Sequence, residues 1–519
     1  MGEVTQRTAA ADHRRRGAPA PAVGSGPADT VLPAGWRVVV DRRVVALDGG
    51  RVLLGGAPPR MLRLAPAGWA LLAGGGFTVT DATSRALARR LLDGGVVHPV
   101  PDGAGPGPGD VTVVVPVKDR TDSVARLLAA LPPALGGVVV VDDGSADPGA
   151  LRTAVHDLGA QALRAEVRVL RHERPRGPAA ARNAGLAAAT TPLVAFLDSD
   201  VLPTPGWLDP LLAHMADPAV GLVAPRIVAL APPEGWAAQP PVRGWLGRYE
   251  AVRSSLDLGP DPAAVVPRTR VAYVPSAALL VRRGAVGAGF DDDMHVAEDV
   301  DLVLRLHGAG WRMRYEPSSR VAHDHRTDLR AWWLRKAYYG TGAAPLALRH
   351  RGAVPPVVLS PWAAAVSGAL LARRPLAALG VTAWAVLRLV PQLPGLSRPW
   401  LAAIRIIGLG VAGATAQTAD AVTRHYWPIS ALACVVSARA RGTVAAVAVA
   451  EGVVDWLRHR DRDPSVRPGL LGHVVAHRLD DLAYGAGLWW GALRHRTLEP
   501  LRPQGPRSVP APPSAPVPA

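Results

Sequence analysis

Val138-Val139-Val140-Val141-Asp142-Asp143-Gly144-Ser145 is the stretch that decides the reading of this chain. Consecutive β-branched apolar residues make a strand buried on both faces, and the acidic run marks the end where it reaches solvent. The same pattern recurs where Leu193 to Leu197 runs into Asp198-Ser199-Asp200. Upstream, Val111 to Val115 is another apolar run, and Val167 to Leu170 is a shorter one. Between them Asp122 to Leu131, Leu151 to Leu163 and Ala179 to Ala189 carry helical spacing. Short apolar strands alternating with helices predict an α/β fold with a mainly parallel sheet and its functional loops at the strand C-termini. Parallel strands bring Asp142, Asp143, Asp198 and Asp200 to one edge.

Carboxylates gathered at such an edge suit a hard divalent cation, Mg²⁺ or Mn²⁺, shared with substrate phosphate oxygens. A departing diphosphate needs such a cation to offset its developing charge. A lone Asp-x-Asp is more often a capped turn; placed after the Val-rich strand and its acidic pair, it points to chemistry. Arg182 and Asn183 lie near a helix start, where free N–H groups and the helix dipole favour an anion. No Gly-x-Gly-x-x-Gly follows the first strand, which argues against a nucleotide-dependent dehydrogenase.

With these motifs in order, residues 110–330 resemble the family-2 glycosyltransferases of the GT-A fold. Val114 to Arg120 is similar to that family's first strand and nucleotide-binding loop, and Val141 to Ser145 to its uridine-contacting segment. Gly177 to Gly185 resembles the segment beside the donor, and Asp198-Ser199-Asp200 the metal-binding triplet. The resemblance implies nucleotide-sugar contacts from Pro116, Asp119, Asp142, Asp143, Arg182, Asn183 and Asp198. It implies metal ligation by Asp200, with Asp198 and His323, or His325 in its place. Asp299 would deprotonate the acceptor hydroxyl, supported by Glu298, although both also stand where a helix N-terminus favours acids. Trp332-Trp333 could stack on an acceptor sugar, although aromatic pairs are more often core or membrane-interface residues. Val274 to Arg283 departs from the family pattern, because a polar acceptor contact is missing there.

Within the family the chain resembles the mycofactocin biosynthesis glycosyltransferases of actinobacteria. Residues 31–100 read as a hairpin followed by a helix over Ala82 to Leu92, capped by Asp81 and stopped at Gly94-Gly95, a small winged-helix-like module. Its block from Leu32 to His98 is similar to modules that present ribosomal peptides to modifying enzymes. The resemblance implies inverting transfer of a sugar, glucose from UDP-glucose, to a peptide-derived redox cofactor or its precursor. The alternative acceptor is a lipid-linked or cell-wall glycan.

The rest of the chain bounds the setting. The 519 residues include 54 Gly and 51 Pro, and the net charge of +16 is almost all arginine, as in a GC-rich coding sequence. The arginines are scattered without interleaved aromatics, which argues against nucleic acid and leaves an anionic membrane surface as a partner. Cys434 stands alone, so neither an internal disulfide nor a cysteine zinc site is expected. Residues 1–30 and 501–519 read as disordered tails and 101–109 as a linker. Residues 110–340 form the catalytic domain and 341–500 an apolar helical region. Gly352 to Ala372 carries no charge and comes nearest the ~20 residues of a bilayer span. The expected location is the cytoplasmic face of the cell membrane, or otherwise the cytoplasm.

Overall fold

Strong alternation and turn chemistry shape the N-terminal module. The computed structural model describes residues 21–27, 32–103, 105–230, 244–325, 328–459 and 467–506. In the module, β1 (Arg37–Val40) lies between β5 (Gly76–Thr78) and β6 (Val97–Val100), antiparallel to both. The strands β2 (Val45–Leu47), β3 (Val52–Gly55) and β4 (Arg60–Arg63) form a second antiparallel sheet. The β2–β3 turn needs left-handed backbone, which Gly49 (φ 64°) and Gly50 (φ 93°) provide. Helix α1 (Pro66–Leu72) precedes β5, and α2 (Ala82–Asp93) follows it. Asp81 and Ser84 cap α2 reciprocally. Trp36, Val38, Leu53, Phe77, Leu91 and Val97 fill the core. The module is tied to the catalytic domain by forked ion pairs, Arg89 to Asp217 at 2.7 and 3.0 Å and Arg312 to Asp93 at 2.6 and 2.8 Å.

The catalytic domain opens with β7 (Val111–Val117), α3 (Thr121–Ala129), β8 (Gly137–Asp142), α4 (Pro148–Ala162), β9 (Val167–Arg171), α5 (Pro178–Ala188) and β10 (Leu193–Leu197). It continues with β11 (Val201–Pro203), α6 (Leu208–His214), β12 (Val220–Ala229), α7 (Gly244–Arg253), β13 (Ala263–Ala264) and β14 (Ala278–Arg282). A short α8 (Arg283–Val286), α9 (Glu298–Gly308) and β15 (Arg312–His323) complete it. The sheet order is β11-β15-β12-β14-β10-β7-β8-β9, with β13 on β15. The strands β10, β7, β8 and β9 run parallel, as the sequence predicts. Beyond β10 the sheet is mixed: β14 is antiparallel to both β10 and β12, and β15 returns parallel to β12. The C-termini of β7, β8, β10 and β15 therefore share an edge with the N-terminus of β14. Apolar layers pack on both sheet faces, one around Val113, Val140 and Leu280, the other around Val114, Phe196 and Tyr315.

Residues 21–27, expected within a disordered tail, lie against this domain. Gly24 N–H bonds to Ala285 O at 2.9 Å and Gly26 N–H to Ala309 O at 2.8 Å, and Trp311 Nε1 donates to Gly24 O at 2.6 Å. A Cβ on Gly24 would stand 2.1 Å from Gly284 O, so only glycine allows this approach. At the other end Gln504 pairs with the segment around Val358, so that tail too is ordered through residue 506. The remaining tail residues lie outside those described.

The helical region comprises α10 (Leu329–Thr341), α11 (Ala343–Arg349), α12 (Pro361–Leu371), α13 (Pro375–Leu389), α14 (Pro399–Asp420), α15 (Trp427–Val436), α16 (Ala438–Arg458) and α17 (Leu470–Arg494). A π-turn over Ala421–His425 extends α14. Helices α10 and α17 cross at glycines: a Cβ on Gly487 would fall 1.7 Å from Ala337 O, and one on Gly340 2.2 Å from Tyr484 O. The charge-free stretch from Gly352 holds only the 11-residue α12, because Pro355, Pro356 and Pro361 delay the helix. Two other segments are long and apolar enough to cross a membrane among the described residues, Pro375–Gln392 and Pro399–His425. Both are mostly surface, and Leu376, Leu379, Trp384, Trp400, Leu401 and Ile404 are exposed on them.

Candidate active site

Strand ends build the shared edge. Pro116 is buried in β7 opposite Val141, and the chain then turns at Asp119, whose φ of 55° is left-handed. The Asp119 N–H donates to Ser145 Oγ at 2.9 Å, and the Asp119 carboxylate accepts the Ala146 N–H at 2.7 Å. Asp119 itself is exposed. Asp142 closes β8 in full burial; one oxygen accepts the Ser145 N–H at 2.8 Å and Arg171 pairs with the other. Burial alone would raise its pKa, but the Ser145 hydrogen bonds and the Arg171 charge outweigh that and hold it below the usual carboxylate range. Asp143 accepts the Arg176 and Gly177 N–H groups, each at 2.8 Å, and meets His172 Nδ1 at 2.8 Å. A buried carboxylate demands such partners. Asp142 and Asp143 thus set the loops around the nucleotide region rather than presenting free oxygens.

Arg182 is the hub of the cleft. It is buried on α5, donating from Nη2 to Asp198 Oδ1 at 2.6 Å and from Nη1 to Glu298 Oε1 at 2.9 Å, beside the Phe290 ring. Burial alone would lower its pKa, yet Asp198 and Glu298 raise it, so it stays cationic. It therefore joins the Asp-x-Asp triplet to the acidic pair that opens α9. Asn183 faces away: its amide donates to Phe290 O at 2.8 Å and Asp292 Oδ1 at 2.7 Å and accepts the Phe290 N–H at 2.8 Å. Rather than offering its amide to a diphosphate, it clamps the 290–292 turn.

Asp299 lies at the first turn of α9, after Ala297 with a left-handed φ of 64°. A non-glycine residue held there stores backbone strain, a common mark of functional sites. The Asp299 carboxylate accepts the Ser276 N–H at 3.1 Å and the Val300 N–H at 2.8 Å. Burial and the Glu298 charge push its pKa up to about 7, against those hydrogen bonds and the Arg182 charge. A carboxylate tuned near neutrality is suited to general-base work.

Asp200 follows β10 and faces the end of β15. Its Oδ1 is 3.6 Å from His323 Nε2, and its Oδ2 is 3.4 Å from Arg120 Nη1. A carboxylate and an imidazole at that separation fit two ligands of one divalent ion, with Arg120 lending positive charge nearby. Asp198 has one oxygen committed to Arg182. Behind His323, His325 meets it Nδ1 to Nδ1 at 3.3 Å; burial, His323 and Lys336 depress the His325 pKa to about 3, so His325 is neutral.

Sequence reasoning missed a cavity beside α9. Trp332 is buried, donates to Glu250 Oε1 at 2.8 Å and packs edge-on against Tyr249, so it is core, not a sugar platform. Instead Tyr273, whose ring is exposed, stands by α9. It lines a cavity of about 450 Å³ with Thr269, Val300, Leu304, Val354 and Gln417. The Tyr273 side chain follows no motif, and its partners come from α9 and the helical region, which no local pattern joins.

Residues 112–257 match the model of glycosyl transferase family 2, and residues 193–414 match that of glycosyl transferase family group 2. The pre-mycofactocin glycosyltransferase of Mycobacterium tuberculosis is 47% identical over 484 residues, 92% of this chain and 99% of that protein. The succinoglycan biosynthesis protein ExoU of Rhizobium meliloti is 30% identical over 217 residues, 40% of this chain and 59% of that protein. Among solved structures, the mannosyltransferase of Pyrobaculum calidifontis in complex with GDP-Man and Mn2+ is similar at a TM-score of 0.40 and 18% identity, covering 75% of this chain and 89% of that one. With a relative that shares nearly half its residues along almost the whole length, and with its strand-end motifs inside the matched family model, the chain is an enzyme of glycosyltransferase family 2.

Proposed function

We propose that the enzyme transfers glucose from UDP-glucose, with inversion, to a peptide-derived redox cofactor or its precursor, and that a divalent metal sits at Asp200 and His323. The observation that carries the mechanism is Asp299, a carboxylate near pKa 7 whose neighbour Glu298 shares Arg182 with Asp198. Asp299 takes the proton of the acceptor hydroxyl as the oxygen bonds to the anomeric carbon. The bond from that carbon to the diphosphate oxygen breaks, and UDP leaves with the electron pair. When bound, the cation neutralises the leaving diphosphate. Arg182 fixes Asp198 and Glu298 so that both flank the reacting sugar, and Asp119 reaches the uridine. The cavity beside Tyr273 receives the acceptor; its size suits a small aromatic molecule.

The M. tuberculosis relative's name supports the acceptor class, and the N-terminal module would present the peptide. A second reading rests on the exposed apolar faces of α13 and α14, which suit seating on a membrane and a lipid-linked or cell-wall glycan acceptor. Incubating the enzyme and UDP-glucose with a peptide-derived acceptor or a polyprenyl acceptor, then following hexose addition by mass spectrometry, separates the two. Transfer to the polyprenyl substrate alone would reject the first reading. Anomeric configuration by NMR tests inversion.

A further inference from the structure

Helices α16 and α17 run side by side with a ladder of acids and histidines between them. Asp455 on α16 and His459, the residue that follows its last turn, lie four positions apart, and His473 reaches them from α17. We propose that Asp455, His459 and His473 form a binding site for a transition-metal dication of the zinc type, separate from the catalytic carboxylates. Their donor atoms lie within 4.8 Å of one another. The centre is Asp455 Oδ2, with His473 Nε2 at 2.8 Å and His459 Nδ1 at 3.6 Å. Donors around a tetrahedral zinc at its usual bond lengths stand about 3.3 Å apart, between those two values. Small rotations of the side chains would admit the ion.

The surroundings favour a ligand set over a simple hydrogen-bonded cluster. His473 is fully buried, and among the described residues its Nδ1 has no hydrogen-bond partner, so its ring hydrogen-bonds on the side that faces Asp455. Arg253 of α7 donates from Nε to Asp455, 3.1 Å from Oδ1 and 3.3 Å from Oδ2, a contact from outside the triad that orients the carboxylate. Burial would raise the Asp455 pKa, but the His473 hydrogen bond and the Arg253 charge hold it far below the usual range. His459 Nδ1 also lies 2.7 Å from the Asp455 backbone carbonyl, an attachment that ion entry would exchange for a metal bond.

The neighbouring triad, Glu451, His477 and Asp481, offers a single imidazole and two carboxylates, and arginines engage both acids. Arg478 pairs with Glu451 and lies 3.1 Å from Asp481, and Arg424 lies 3.1 Å from Asp481 on its other oxygen. Two nitrogens and one carboxylate select Zn²⁺ or Co²⁺ over Mg²⁺. A bound ion would clip α16 to α17 and, through Arg253, to the catalytic domain.

The test uses full-length protein freed of metal with a chelator and carrying Asp200→Asn to disable the catalytic ligand. Titration with Co²⁺ is expected to give the intense visible bands of tetrahedral cobalt at one equivalent. Adding His459→Gln, at a partly exposed helix end that leaves the fold intact by circular dichroism, or His473→Gln, is expected to abolish the bands and weaken binding at least tenfold. Absence of the bands in the Asp200→Asn protein, or their persistence with His459→Gln, would overturn the proposal.

Discussion

Replacing Asp299 by asparagine separates catalysis from stability at a single position. The side chain keeps its size and one carbonyl oxygen for the Ser276 N–H, but cannot accept a proton. A positioned general base contributes about 10²- to 10⁴-fold, so transfer should fall by that factor, roughly 3–5 kcal/mol in barrier height. In the unmutated enzyme, with the Asp299 pKa at about 7, activity should climb through pH 6–8, and roughly one-tenth of the base is ionised at pH 6. The stability change runs the other way. The folded protein holds this proton more tightly than an unfolded chain, whose carboxyl has a value of 3.8. Stability is therefore lost as pH rises from about 4 through about 7, by up to ~4 kcal/mol once the group is fully ionised. Asp299→Asn should remove that cost, giving an inactive protein that melts higher than its parent at pH 8 and at the same temperature at pH 4. Initial rates with UDP-glucose and thermal melts across pH read both effects. A variant within tenfold of the parent rate, or one that is inactive and melts lower at pH 8, would refute the base assignment.

Other substitutions probe the remaining parts of the cleft. Asp200→Ala, like chelator treatment of the parent, should lower donor hydrolysis and transfer by at least about 100-fold. Added Mn²⁺ should restore the chelated parent but not the variant, and chelator-insensitive turnover would remove the metal from the proposal. Arg182→Met should destabilise the fold by about 3–5 kcal/mol in denaturant melts, because Asp198 and Glu298 would lose their shared buried cation. Leu376→Glu with Leu401→Glu, both exposed, should leave soluble-substrate turnover unchanged while reducing flotation with anionic vesicles; equal flotation would argue against a membrane seat for α13 and α14.

The first half of the sheet was legible because it is written locally. Val138 to Val141 and Leu193 to Leu197 are apolar on every residue, so their burial and their acidic ends could be read directly. The direction of β14 could not, since an apolar strand is compatible with either direction and only its neighbours choose. The same limit applies to the site. Residue types and spacing singled out Asp200 and the helix-start position of Arg182, and the family resemblance added Asp299, but the link from Arg182 to Glu298 joins residues 116 apart in sequence and appears only in three dimensions. Asn183 was assigned to the donor from its place near a helix start and in the family motif, whereas the structure uses it to clamp a turn; of the readings open for Trp332, the structure takes the core. The cavity at Tyr273 escaped because four separate segments supply its walls. Candidate spans shifted from the charge-free stretch to Pro375–Gln392 and Pro399–His425, since prolines limit helix length more than a few arginines do.

The crossing of α10 and α17 at Gly340 and Gly487 leaves no gap between main chains. Trimming the protein after residue 341 to obtain a minimal catalytic fragment would uncover peptide groups and a strip of apolar side chains that have no other shelter. Such a fragment is expected to precipitate on expression, so boundaries for crystallisation or engineering should retain the helix through Arg494.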